Sequence, residues 1–289
     1  MARVVFTQFF IYRWRYIVGY SAVALLLALL LTLAMFFAPG GISGAEINSV
    51  IQSDDLAITQ PSSLIVANAP YYALQAISLE VFGVSNFSIK LPSLILGLLS
   101  AVGLIMLLRR WFSRNIAVLA SLIAVTTGQF LFIAQNGTPG VLYLFWPVAL
   151  LALGTQITRG KHFRTFWKIL FGLVAAFSLY TPLSIYPLIA IAVAVILHPH
   201  LRHIVRRLSL GKITIAASAG LVILAPLIYS IVINPQLGLQ LLGVPSTWPP
   251  DLWGNIQILF SQYLLFWEPS ATTLMTPVFG FGSTILIVL

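Results

Sequence analysis

The chain has no cysteine and only six acidic residues in 289. Without cysteine there is no disulfide, no thiolate nucleophile and no Cys-ligated metal. Charge of either sign is scarce: Asp, Glu, Lys and Arg make up 7% of the residues, against 60% apolar. That balance belongs to membrane proteins. A formal charge of +9 is of the kind seen in nucleic-acid binders. Here, however, the basic residues sit in short clusters between long apolar runs, as the positive-inside rule and anionic headgroups require. No nucleic-acid partner is expected, and the bilayer is the first partner.

What charge there is has been sorted. Glu46, Asp54, Asp55, Glu80, Asp251 and Glu268 fall in or beside alternate gaps between apolar runs, and every Lys and Arg except Lys90 falls in the other gaps or at the N-terminus. Arg3, Arg13 and Arg15 precede Ile17 to Ala38, a run long enough to cross a hydrocarbon core of about 30 Å, so the N-terminus is expected in the cytoplasm. The next runs are Phe87 to Leu108, Ile116 to Ala134, Pro139 to Ile157, Ile169 to Tyr180, Leu183 to Leu197, Ile213 to Ile233 and Leu274 to Leu289. Arg109, Arg110 and Arg114, then Arg159, Lys161, Arg164 and Lys168, then Arg202, Arg206, Arg207 and Lys212 mark cytoplasmic loops, which also hold all four histidines.

The expected fold is therefore all-α: a polytopic bundle of about eight transmembrane helices forming a single membrane domain over residues 1–289. An exterior loop at 39–86 is expected to contain interfacial helices, one of them starting at Pro70 with Tyr71, Leu74, Ile77, Ser78 and Val81 on one face. A second large exterior loop is expected at 234–272, where Trp248, Trp253 and Trp267 suit an interfacial belt. The last run stops without a polar tail, and the chain is expected to be the N-terminal part of a longer protein.

The exterior side carries the only candidate chemistry. Glu46, Asp54 and Asp55 lie close together in sequence and could act as general base or as metal ligands, or could simply be solvated loop charges. Lys90 is the one basic residue on that side. Tyr71 and Tyr72 could stack on a sugar or line a lipid groove, although belt anchors more often look like this. Gln135 and Asn136, in an exterior turn, could hydrogen-bond an acceptor, though a turn alone explains them.

Several segments together resemble the GT-C glycosyltransferases, polytopic enzymes that use polyprenyl-phosphate-linked sugars and include protein O-mannosyltransferases and lipid A aminoarabinose transferases. These are Gly41-Ile42-Ser43-Gly44-Ala45-Glu46-Ile47-Asn48, then Asn68-Ala69-Pro70-Tyr71-Tyr72, then Leu79 through Phe87-Ser88-Ile89-Lys90-Leu91-Pro92-Ser93, then Arg109-Arg110. The resemblance covers roughly residues 35 to 200. It implies a GT-C-like bundle that moves a sugar from a polyprenyl-phosphate donor to a hydroxyl on a lipid, glycan or protein acceptor. It also implies a bacterial inner membrane with the active face exterior. Glu46, with Asp54 and Asp55 behind it, is then the base, and Lys90 the partner of the lipid phosphate or of a carboxylate. Mg²⁺ or Mn²⁺ on Glu46, Asp54 and Asp55 is the only cofactor left open. Where the family has an Asp-Glu pair this chain has Ala45-Glu46, and a second family acid falls near Gly140. A catalytically inactive scaffold of the same fold is thus the main alternative. A transporter is less favoured, because the spans hold almost no ionisable residue.

Overall fold

A computed structural model describes residues 42–56, 67–159, 164–206 and 210–244, together with parts of 18–33 and of 253–256. All regular structure among them is helical. In chain order the helices are α1 (Gly44–Asp54), α2 (Ala69–Phe82), α3 (Asn86–Leu108), α4 (Arg114–Val125), α5 (Gly128–Gln135), α6 (Val141–Arg159), α7 (Arg164–Ser178), α8 (Ile185–Leu197), α9 (Pro199–Arg206), α10 (Leu210–Ile233) and α11 (Pro235–Leu242). The chain is an integral membrane protein whose core packs α3 against α6, α6 against α7 and α7 against α10.

Two of these helices, Asn86–Leu108 and Val141–Thr158, are long and apolar enough to cross a membrane, or three if the bent pair Ser218–Ile233 and Pro235–Leu242 counts as one span. That is fewer than the eight expected. The first and last apolar runs lie largely or wholly outside the described residues. Arg114–Val125, Phe166–Ser178 and Ile185–Leu197 are apolar but short. The single run expected from Ile116 to Ala134 is in fact two helices. At the break the hydroxyls of Thr126 and Thr127 donate back to the carbonyls of Ile123 and Ala124, and Thr127 Oγ1 accepts from the amide of Phe130 to cap α5. Hydroxyls used in this way compete with the helix ladder. The break expected at Thr181-Pro182 is present between α7 and α8.

Pro92 sits inside α3. A proline has no N–H to give the carbonyl four residues back, so the Ser88 carbonyl needs another donor. Ser78 Oγ of α2 supplies it at 2.7 Å. The proline that interrupts the α3 ladder thereby docks the non-spanning α2 onto the span. At the middle of the core, α3 approaches α5 closely: a Cβ added at Gly97 would lie 2.6 Å from Ala134 Cβ. Ala134 is fully buried.

Gly97→Val should therefore force α3 and α5 apart and cost about 1–3 kcal/mol. Thermal unfolding of the purified protein in lipid nanodiscs should show the lowered midpoint, and Gly154→Ala, whose added Cβ meets nothing within 4 Å, should not.

Candidate active site

Four chain segments meet around the Glu46 carboxylate. The first is the start of α1, where Ser43 and Glu46 form a capping box. Glu46 Oε2 accepts from the Ser43 amide at 2.8 Å and from the Ser43 hydroxyl at 3.1 Å, and Ser43 Oγ accepts from the Glu46 amide. The sequence Ser-x-x-Glu dictates this locally. The second is the turn between α5 and α6, whose Gly137 amide donates to Glu46 Oε1 at 2.8 Å across 91 residues. The third is the first turn of α3, where Lys90 Nζ lies 3.6 Å from the same oxygen. Glu46 is 2% exposed and Lys90 8%.

The fourth segment, α2, ties the others together through Gln75, which is fully buried. Gln75 Nε2 donates to the carbonyls of Ile89 and Gly137 at 3.0 and 3.3 Å, and its Oε1 accepts from Ser49 Oγ at 2.8 Å. Gly137 is glycine for a steric reason: a Cβ there would meet Ile89 Cγ2 at 2.8 Å and Glu46 Oε1 at 3.2 Å. One turn along α2, the Tyr71 hydroxyl and Ser93 Oγ are 2.8 Å apart, and Ser93 Oγ reaches the Thr138 carbonyl at 3.4 Å. Burial, and to a smaller extent the Glu46 charge, push the Tyr71 phenol above its ordinary pKa, while the Ser93 bond pulls the other way. The phenol stays protonated and can donate.

The expected site residues thus separate into groups. Glu46, Lys90 and Tyr71 come together. Tyr72 is half-buried with its ring edge-on to Tyr71, the centroids 6.0 Å apart, and burial raises its phenol as well. Asn136 leads into the Gly137 turn, its carbonyl accepting from the Thr138 amide. The neighbouring Gln135 has a buried Oε1 with no hydrogen-bond partner. Asp54 and Asp55 are exposed at the far end of α1, eight or nine residues and so about 12 Å of helix rise from Glu46. The three carboxylates do not form one cluster, and among the described residues no group of three or more His, Asp or Glu is placed to hold a metal. With both Glu46 oxygens already facing donors, Mg²⁺ or Mn²⁺ does not fit on Glu46, Asp54 and Asp55 together. Ala45 is exposed beside Glu46. Asp251, Glu268, Trp248 and Trp267 lie outside the described residues.

The face expected for α2 needs correcting. Tyr71 and Ser78 do not share a face with Leu74, Ile77 and Val81. They turn inward with Gln75, while the three aliphatic residues are exposed. The inner strip is polar because it must satisfy the carbonyls that Pro92 and the Gly137 turn present. Gln75, Ser49, Ser78, Ser93 and Gly137 were not among the site residues expected from the sequence. The Pro92 ring in a long apolar run was the signal that a polar neighbour had to exist.

A protein-family model described as dolichyl-phosphate-mannose-protein mannosyltransferase matches residues 69–229. No curated protein and no solved structure matches the chain.

Burying an ion pair costs several kcal/mol per ion, and removing one partner leaves the other uncompensated. Lys90→Met or Glu46→Gln alone should destabilise the protein by about 3–5 kcal/mol. The double variant should recover part of that loss in a thermal-unfolding cycle. Strict additivity of the two single changes would mean the groups do not interact.

Proposed function

The chain belongs to the dolichyl-phosphate-mannose-protein mannosyltransferase family, membrane glycosyltransferases of the GT-C type, and from that premise we propose that it moves a sugar from a polyprenyl-phosphate donor to an acceptor hydroxyl on the exterior face of the membrane. The supporting observation is the Glu46–Lys90 pair: one anion and one cation buried together at the head of a membrane-length helix.

Transfer breaks the bond between the anomeric carbon and a phosphate oxygen and forms one to the acceptor oxygen. The leaving phosphate gains charge, and the acceptor loses a proton. A cation must face the first and a base take the second. Lys90 suits the phosphate. In the free protein its ammonium faces Glu46 Oε1. A donor phosphate competes for that ammonium, and as Lys90 turns to it Oε1 is released toward the acceptor. The Gly137 amide and the Ser43 contacts to Oε2 keep the carboxylate in register meanwhile. The base is thus masked until the donor is bound. Asp54 and Asp55 lie too far along α1 to share this role. The acceptor class is a lipid, glycan or protein hydroxyl, and the location proposed with it is a bacterial inner membrane with the N-terminus cytoplasmic, which the sorting of Lys and Arg between the apolar runs supports for the orientation.

One observation favours a second reading, a non-catalytic member of the family. Both Glu46 oxygens are engaged, and the exposed neighbouring position is Ala45.

A single assay decides between them. The full chain in proteoliposomes, given labelled polyprenyl-phosphate sugars, should transfer sugar. Glu46→Gln should lower the rate roughly 100- to 10,000-fold while membrane insertion is unchanged. The Glu46→Gln, Lys90→Met double variant, more stable than either single change, should remain inactive, which separates lost chemistry from lost folding. Normal activity in Glu46→Gln removes the base assignment. No transfer by the wild type from any donor supports the non-catalytic reading.

A further inference from the structure

Two turns far apart in the chain are held in an uncommon backbone. Among the described residues, the non-glycine residues with positive φ are Asn68 and Leu183, both at 63°. Asn tolerates the left-handed region, but the Cβ of a leucine disfavours it. Such a conformation persists only where the surroundings over-determine it. Leu183 lies in the turn between α7 and α8, and α11 supplies the constraint. The Leu183 amide donates to the Leu241 carbonyl at 2.8 Å, and the Tyr186 hydroxyl donates to the Leu242 carbonyl at 3.0 Å. Gly243 ends α11 with φ at 75°, and a Cβ there would overlap the Leu183 side chain.

The same turn grips the start of α2 from two directions. The Tyr180 carbonyl accepts from the Asn68 amide at 2.7 Å. Thr181 Oγ1 accepts from Trp146 Nε1 of α6 at 2.8 Å, and both residues are buried. Trp146 shares one buried cluster with Tyr71, and Ala69 shares another with Tyr180 and Leu241. The inward residues that follow on α2 belong to the Glu46 network. Tyr71 meets Ser93, Gln75 bonds the Gly137 carbonyl, and the Gly137 amide donates to Glu46. A buried indole N–H needs an acceptor, but meeting that need does not require a left-handed leucine. The strained turn does more: it sets the Tyr180 carbonyl and the Thr181 hydroxyl in a fixed relation, so that both meet the surroundings of α2 at once.

We propose that Thr181 is a positioning residue for the Glu46 carboxylate, acting through Trp146 and α2, and that α11 holds its turn in the working shape. The kinetic consequence rests on the reading of Glu46 as the base; the mechanical link does not. Without the hydroxyl, Trp146 loses its partner and Tyr71 loses the wall it packs on. The start of α2 then shifts, Gln75 releases the Gly137 turn, and the carboxylate leaves its register.

Thr181→Val keeps the shape and removes the acceptor, and Thr181→Ser restores it. In proteoliposomes Thr181→Val should lower kcat for sugar transfer roughly 10- to 100-fold with the donor KM unchanged, and Thr181→Ser should recover most of the rate. A second readout needs no catalysis. The chain has no cysteine, so Ser49→Cys, at a buried position bonded to Gln75, reports opening of the network through its rate of labelling by a water-soluble maleimide. Adding Thr181→Val should raise that rate several-fold, and adding Thr181→Ser should not. Ser121→Cys, buried in α4, should stay unlabelled in both backgrounds, which excludes general unfolding. Unchanged labelling of Ser49→Cys in the Thr181→Val background overturns the proposal. A full kcat in Thr181→Val, or a loss that Thr181→Ser fails to restore, overturns it as well. Absence of transfer by the wild type defeats the sugar-transfer reading alone, and the labelling comparison still decides the positioning role.

Discussion

The Glu46 end of the molecule is built on one carboxylate that receives donors from three separate places in the chain. Ser43 holds one Glu46 oxygen locally, while the Gly137 amide and the Lys90 ammonium meet the other from segments far off in sequence. A buried carboxylate is tolerated only when its lone pairs are met, so these three segments are constrained at once. The Gly137 turn cannot drift without exposing the anion, and α1 cannot unwind its first turn without losing its cap. Gln75 then extends the constraint to α2 by bonding the carbonyl of the same Gly137. The arrangement resembles the interior of a soluble enzyme moved to the edge of a hydrophobic bundle.

Prolines give the network its footing. In water a proline within a helix is a fault to be solvated. In this bundle the carbonyl that Pro92 leaves free needs a protein donor, and Ser78 provides it. A short helix with no length to span the bilayer is therefore held to one that does, by a hydroxyl rather than by packing alone. Tyr71 and Ser93 repeat the same kind of tie one turn deeper, which is why the inner strip of α2 is so polar for a membrane protein.

Much of this architecture was legible in the residues. The break at Thr181-Pro182 followed from proline chemistry, and the start of α3 beside Lys90 from the run of apolar residues that begins there. The helical reading of the Pro70 segment held, but the grouping of its residues did not: Tyr71 and Ser78 turn inward with Gln75, where a freed carbonyl and the Gly137 turn need polar partners, and Leu74, Ile77 and Val81 are left exposed. The split between α4 and α5 was missed because Thr126 and Thr127 are unremarkable in composition, and only their back-bonding reveals them as a stop and a cap. Lys90 was expected to partner a lipid phosphate or a carboxylate, and Glu46 is the carboxylate it meets, a pairing across 44 positions that tertiary packing sets and no local spacing encodes. The acidic neighbours Asp54 and Asp55 looked like one group with Glu46 along the chain, yet helix rise carries them to the opposite end of α1.

The inverted helices have a practical corollary for handling the protein. Ile47, Ile51, Leu74 and Ile77 are left as exposed apolar surface that a solubilising detergent must cover, so the choice of detergent bears directly on the two helices that hold the Glu46 carboxylate against the Gly137 turn.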